Sequence, residues 1–213
     1  MPVLSEHRTL NQKILNGEVF ELDTLEYIAA NVNNGDIVHA GTFFGDFIPA
    51  FSKAVSNEAK IWAFEPNPES FRCAQITNML NGIQNVSLVN AGLGDKESKI
   101  NLTTKDKKGV SLGGSSTIDV NRESSKTTEE IEIRSIDSAI PKDRNVSIIQ
   151  LDIEGFEKQA LMGALETIKR CRPILILEDD HGLTKGQWFK DTILSLNYKL
   201  DKKLHYNQVI LPI

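Results

Sequence analysis

The chain has 213 residues, carries 24 Lys and Arg against 29 Asp and Glu for a formal charge of −5, and is 40% hydrophobic. That length suits one domain, or one domain with a small appendage, and the composition excludes wholesale disorder. The negative balance argues against a nucleic-acid binder working by broad phosphate neutralisation, and no run approaches the roughly 18 unbroken apolar residues that span a bilayer, so neither nucleic acid nor membrane is an expected partner.

Met1 to Arg8 lack the apolar core and cleavage site of a signal peptide. Cys73 and Cys171 lie far apart and outside any CxxC pairing. A disulfide framework or thiolate zinc site is therefore not expected, and the expected compartment is the cytoplasm.

Residues 1–35 read as an N-terminal helical segment, with Leu22, Leu25, Ile28 and Ala29 at helical steps between Phe20 and Val32. Residues 36–213 read as one α/β unit. The turn Asn33–Asp36 leads into a short buried strand, Ile37–Ala40, left through Gly41-Thr42-Phe43-Phe44-Gly45-Asp46. A helix to about Val55 follows, with Pro49 tolerable only in its first turn. Ile61–Phe64 predicts the second strand, Glu69–Leu80 a helix closed by Asn81-Gly82, and Val86–Asn90 the third strand. Strand and helix in alternation predict a doubly wound parallel sheet.

The rhythm breaks over about 95–144. This stretch is polar, with strands expected at Lys99–Thr103 and Ile131–Arg134, and reads as a β-hairpin insertion with a long loop. Regularity returns with a strand at Val146–Leu151, a helix from about Phe156 to Arg170, and a strand at Pro173–Leu177. A helix near Lys185–Leu196 and a terminal antiparallel pair, Tyr198–Leu200 with Gln208–Leu211, complete the chain.

Ligands of open α/β sheets bind beyond the carboxyl ends of the strands. After the first strand, Gly41 and Gly45 permit close backbone approach, although tight strand-to-helix packing explains them equally well. Their GxxxG spacing is not the dinucleotide GxGxxG fingerprint. Glu65 follows the second strand about twenty positions on, where a carboxylate accepts from both ribose hydroxyls and repels a 2′-phosphate. Asn90-Ala91-Gly92 follow the third strand, where Asn90 reads either as an adenine contact or as a strand cap. Asp152 and Glu154 follow the fourth, as ligands for a cation or acceptor hydroxyl, as caps of the next helix, or as both. His181, after Glu178-Asp179-Asp180, is either a general base or a surface turn histidine. Asp152 and Glu178 are strand-end acids that offer oxygen ligands, but no metal site is expected.

Several segments now stand in order: Ile37–Asp46, Phe64-Glu65-Pro66, Asn90–Asp95, Gly113–Ser116, Ser135-Ile136-Asp137, Leu151–Glu157 and Leu161–Ala164. Together they resemble the FkbM family of S-adenosylmethionine-dependent methyltransferases. The resemblance implies a Rossmann-like, seven-stranded class I methyltransferase sheet with a terminal antiparallel hairpin, and O-methylation of a small-molecule or glycan hydroxyl. It places the cofactor against His39, Gly41, Thr42, Phe43, Phe44, Gly45 and Asp46, with Glu65, Pro66 and Asn67 at the ribose. It places Asn90, Ala91 and Gly92 along the adenine, and Ser115 and Ser116 closing over the cofactor. Asp152, Glu154 and His181 are its catalytic candidates, Asp152 also facing the cofactor.

Two positions depart from the family pattern. His39 stands where the pattern has an acid that would help hold the cofactor's ammonium group, and Phe43 where it has asparagine; Asp46 is the nearby acid able to substitute. Those departures keep a second reading open, a degenerate cofactor-binding or interaction domain. An NAD-dependent oxidoreductase is the third, and a homo-oligomer is compatible with all of them.

Overall fold

The computed structural model describes residues 9–105, 117–118 and 127–213. Ser115 and Ser116 lie outside the described residues. The chain begins with two helices, α1 (Thr9–Leu15) and α2 (Leu22–Asn31), where the sequence predicts a helical segment over 1–35. Then come β1 (Asp36–Ala40), α3 (Ile48–Ala54), β2 (Ile61–Phe64), α4 (Pro68–Leu80) and β3 (Val86–Val89). Next come β4 (Gly92–Leu93), ahead of the insertion expected over about 95–144, and then β5 (Ser98–Lys105), β6 (Thr117–Ile118) and β7 (Thr127–Arg134). A short helix α5 (Ile136–Ala139), β8 (Val146–Leu151), α6 (Glu157–Met162), α7 (Leu165–Cys171) and β9 (Ile174–Glu178) lead on. The chain closes with α8 (Gln187–Thr192), β10 (Tyr198–Leu204) and β11 (Asn207–Pro212).

The main sheet has seven strands in the order β10-β11-β9-β8-β1-β2-β3, and the terminal hairpin is antiparallel as expected. β5 and β7 pair antiparallel as the core of a separate four-stranded sheet. In β1 every residue is buried, and alternation sorts them between two cores. Ile37 packs with Ile28, Phe47 and Phe51 on one side; Val38 and Ala40 pack with Leu151, Leu161 and Ile168 on the other. Three-residue 3₁₀ turns, Leu183–Lys185 and Leu194–Leu196, flank α8, so the expected continuous helix over Lys185–Leu196 is three pieces, the first two parted by the extended Gly186.

The single helix expected over Phe156–Arg170 is likewise divided. At Gly163 a Cβ would meet the Gly94 carbonyl oxygen at 2.0 Å, so the chain passes against the second sheet there. The Gly163 carbonyl accepts from the Asp137 N–H at 2.8 Å. The Asp137 carboxylate in turn accepts from the N–H groups of Glu166 and Thr167, at 3.0 and 2.8 Å, and starts α7 afresh. Elsewhere local chemistry suffices: Asn67 caps α4 through Glu69 and Ser70, with Pro68 at its first position.

At the amino end of β1, Asp36 is 1% exposed and accepts from the Lys60 N–H (2.8 Å), the Trp62 indole (2.7 Å) and the Arg144 guanidinium (2.8 Å). Burial alone would raise its carboxyl, but those donors more than offset it and hold the group below the usual range. The clamp joins the starts of β1 and β2 to the loop before β8, and leaves the opposite end of the strands for a ligand.

Candidate active site

The strand order reverses between β1 and β8, which pair in parallel from Asp36 to Ala40. Two clefts open beyond their carboxyl ends, one of about 40 Å³ and one of about 220 Å³, and both are lined by Gly41, Asp152 and Glu154. This is the topological switch point where open α/β sheets bind ligands. Gly41 has φ +84°, and a Cβ there would lie 1.8 Å from the Asp152 carbonyl oxygen. Only glycine lets the two strands leave the sheet this close together.

The loop after β1 is tied to the end of β2. Glu65, 4% exposed, accepts from the Phe43 N–H at 2.7 Å and from the Asn67 N–H at 2.8 Å. Burial pushes its carboxyl up to about 8, against the pull of those two donors. Phe43 itself has φ 50°, a left-handed conformation in which asparagine is at ease and a bulky residue is strained. The departure noted in the sequence therefore falls where the backbone has a reason to favour asparagine. Phe43 is nonetheless buried, its ring 4.7 Å from that of Phe44.

Glu65 and Pro66 line the smaller cleft with Gly92 and the apolar Phe64, Leu93, Leu102, Ile131 and Phe156. Ala91 is buried next to it. Asn90 is exposed, and its side-chain amide donates to the carbonyls of Glu65 (2.8 Å) and Pro66 (3.2 Å). Its amide nitrogen is thus engaged in holding the β2 exit. Leu102 and Ile131 come from the second sheet, whose part in the cleft wall the sequence did not disclose.

The larger cleft holds His39, Phe43, Asp46, Asp152 and Glu154 together, and Thr42 and Gly45 are buried in the loop that passes it. Asp152 forms a hydrogen-bonded carboxyl pair with Glu178. Burial, then the Glu178 charge, keeps Asp152 protonated well above the usual range. Burial also pushes Asp46 up to about 7, its own N–H pulling down and Glu21 pushing further up. Neither Asp152 nor Glu154 supplies a helix cap: Glu154 is exposed with φ 54°, and Glu157 accepts from the N–H groups of Ile153 and Gly155. His181 is exposed beside Gly155, where a Cβ would touch its ring at 3.2 Å, and it lines neither cleft.

Residues from both chain ends roof the larger cleft: Leu10, Phe20 and Glu21 from the N-terminal segment and Tyr206 from the β10–β11 turn. Glu21 accepts from Asn207 at 2.6 Å and from Thr24 at 3.2 Å, tying the two ends together. Among the described residues no cluster of three metal-ligating side chains is arranged to hold a metal ion, and no helix is long and apolar enough to cross a membrane.

The sequence profile described as "Methyltransferase FkbM domain" matches residues 28–206. No curated protein sequence matches the chain. Among solved structures, the FkbM methyltransferase of Methylobacillus flagellatus KT superposes with a TM-score of 0.59 at 18% identity, over 84% of this chain and 43% of that one. The chain therefore spans less than half the length of that protein. A putative O-methyltransferase from Klebsiella pneumoniae superposes with a TM-score of 0.51 at 10% identity, over 90% of this chain and 81% of its own. A putative rRNA methylase from Clostridium thermocellum gives 0.50 at 12% identity, over 88% and 91%. Those likenesses show a Rossmann-like methyltransferase fold.

Proposed function

Since the chain belongs to the FkbM methyltransferase family, we propose that it transfers a methyl group from S-adenosylmethionine to a hydroxyl of a small molecule or glycan. The observation that carries this reading is Glu65, a buried carboxylate at the end of β2 facing an apolar slot at the switch point. A nucleoside asks for that combination, flat apolar walls for the base and a carboxylate for the ribose hydroxyls. The donor set fits the cofactor: Leu93, Ile131 and Phe156 would flank the adenine, Glu65 would hold the ribose, and Gly41 leaves the backbone bare between the clefts.

Bound there, S-adenosylmethionine would supply an electrophilic methyl group on a sulfonium. The protein's own share is alignment and proton handling, because an alcohol is a poor nucleophile until its proton can leave. The Asp152–Glu178 pair holds one proton in a hydrogen bond and has an oxygen left to accept another. It lines the larger cleft, so it is the better-placed group to receive the acceptor's proton, while His181 stands outside. The acids there disfavour phosphate-rich acceptors.

Isothermal titration with S-adenosylhomocysteine tests the cofactor half. Binding that Glu65→Ala abolishes, with none for NAD under the same conditions, is the expected result. No binding at millimolar concentration overturns it. Methyl transfer to a panel of polyols and glycans tests the acceptor half, and cofactor binding without any turnover would favour the degenerate-domain reading.

A further inference from the structure

The seven-stranded sheet ends in two edges that carry opposite chemistry, β10 on one side and β3 on the other. On β10, Lys199, Asp201, Lys202 and Lys203 are all exposed, the kind of charged guard that keeps an edge strand from pairing with another chain. β3 has no such guard. From Cys73 to Gly94 the chain runs 22 residues without Asp, Glu, Lys, Arg or His. Elsewhere it never passes ten residues without Asp, Glu, Lys or Arg. The neutral run comprises most of α4, the turn that follows it, β3 and β4.

This edge is open in both backbone and side chains. The N–H groups of Ile61 and Glu65 donate to the Asn85 and Val89 carbonyls, so the odd-numbered residues face β2. Residues alternate along a strand, so Val86 and Leu88 aim their N–H and C=O groups away from β2. No strand among the described residues pairs with them there. Every β3 residue is only half-buried, whereas every β1 residue is buried. On α4, which packs against β3, Ile76, Met79 and Leu80 are 50, 72 and 76% exposed and share one face.

A second copy of this chain fits that edge. Each copy carries a charge of −5, and the neutral run is where two of them can meet without opposing like charges. Interface cores are depleted of charge in this way, and one side of a standard interface uses about 20–30 residues. Antiparallel pairing centred on Ser87 sets Val86 opposite Leu88 of the partner subunit, and so uses both outward-facing residues of each strand. Ser87 then faces its own counterpart as a non-hydrogen-bonded pair, with Cα atoms about 4.5 Å apart. We infer that two copies of this chain associate through β3, with Ser87 on the two-fold axis, and that the apolar strips of the two α4 helices cover each other. This rests on the sheet edge and not on the methyltransferase reading.

Sedimentation of the full chain at micromolar concentration is expected to give a dimer and nothing larger, because a two-fold contact closes on itself. Ser87→Cys is expected to cross-link between copies under mild oxidation, since about 4.5 Å lies within the Cα separation a disulfide spans. Leu200→Cys, on the β10 edge, is not, and the wild type controls for the free Cys73 and Cys171. Met79→Lys with Leu80→Lys alters only exposed side chains and should give a folded monomer, as should Met79→Glu with Leu80→Glu. Mixing those two double variants should restore a dimer through their opposite charges, which misfolded chains would not do. A wild-type monomer overturns the inference, and so does growth beyond a dimer or a dimer that survives both lysines. A folded dimer that cross-links through Leu200→Cys and not through Ser87→Cys overturns it as well. Failure to bind S-adenosylhomocysteine would refute the proposed function and leave this interface standing.

Discussion

The carboxylate of Glu65 accepts the backbone N–H of Phe43 at 2.7 Å, so the residue at the end of β2 holds the loop that leaves β1. Its second oxygen accepts the Asn67 N–H, which fixes the start of α4 as well. One buried side chain therefore shapes the proposed ribose site and the loop beside it.

Replacing Glu65 should weaken cofactor binding by more than the lost ribose contact. Glu65→Gln keeps one carbonyl oxygen but turns an amide toward an N–H donor, leaving a buried donor unpaired at a cost of about 1–3 kcal/mol. Affinity for S-adenosylhomocysteine is expected to fall at least tenfold by calorimetry, since about 1.4 kcal/mol is a factor of ten. Because burial pushes Glu65 up to about 8, ribose hydroxyls meet a better acceptor as the group ionises. Wild-type affinity should rise from pH 6.5 to 9, and the Gln variant should show no such rise.

Phe43→Asn sets two effects against each other. Asparagine relieves the left-handed strain at φ 50°, about 1 kcal/mol, but burying the phenyl ring beside Phe44 is worth about 2–3 kcal/mol. Burial wins, so the variant should melt lower than wild type in a thermal scan. Phe43→Ala loses the ring without the same relief and should melt lower still. Equal or higher stability for Phe43→Asn would mean that strain dominates the loop.

The central strands β1, β2, β8 and β9 were legible because each is a short apolar run bounded by turn residues, and Asn67-Pro68 announced the start of α4 with its own chemistry. What escaped depended on distant partners. The break between α6 and α7 is made by Asp137, which lies 30 residues before the Thr167 N–H it accepts. The roof of the larger cleft is assembled by Glu21 and Asn207 across 186 residues. Glu65 was singled out by its strand-end position, but the slot opposite it is walled by Leu102 and Ile131 of the second sheet, whose placement over the exit of β2 no local pattern encodes. One signal was present and unread: Gln150 is the polar residue nearest the end of the buried run Val146–Leu151, and it is the one that orients His39.

Stability against pH should carry the marks of these buried groups. The His39 ring has a folded value near 4 against an ordinary 6.5, so the unfolded chain binds the extra proton and stability from this group falls as pH drops from 6.5 to 4. Glu65 and Asp46 are raised to about 8 and about 7, so there the folded chain binds the extra proton, and stability falls as pH rises through each window. Between pH 4.5 and 6.5 the two acids oppose one imidazole. Removing the imidazole in His39→Gln should make the decline of stability with pH steeper, by up to about 1.4 kcal/mol per pH unit. Urea titrations of both proteins at pH 5 and 6.5 read the difference, and parallel curves would refute the assignment.

Asp36→Asn should separate folding from binding. The substitution places an amide against the Lys60 N–H, the Trp62 indole and the Arg144 guanidinium, all of which are donors. Removing one partner of a buried ion pair costs about 3–5 kcal/mol; Arg144 is 28% exposed and recovers part of its hydration, which favours the low end. A clear drop in the urea midpoint is therefore expected. The clamp lies at the amino end of β1 and the clefts at its carboxyl end, so the folded fraction should bind S-adenosylhomocysteine with unchanged affinity. A large loss of affinity in the folded variant would show that the clamp also sets the strand register on which Gly41 and Asp152 depend.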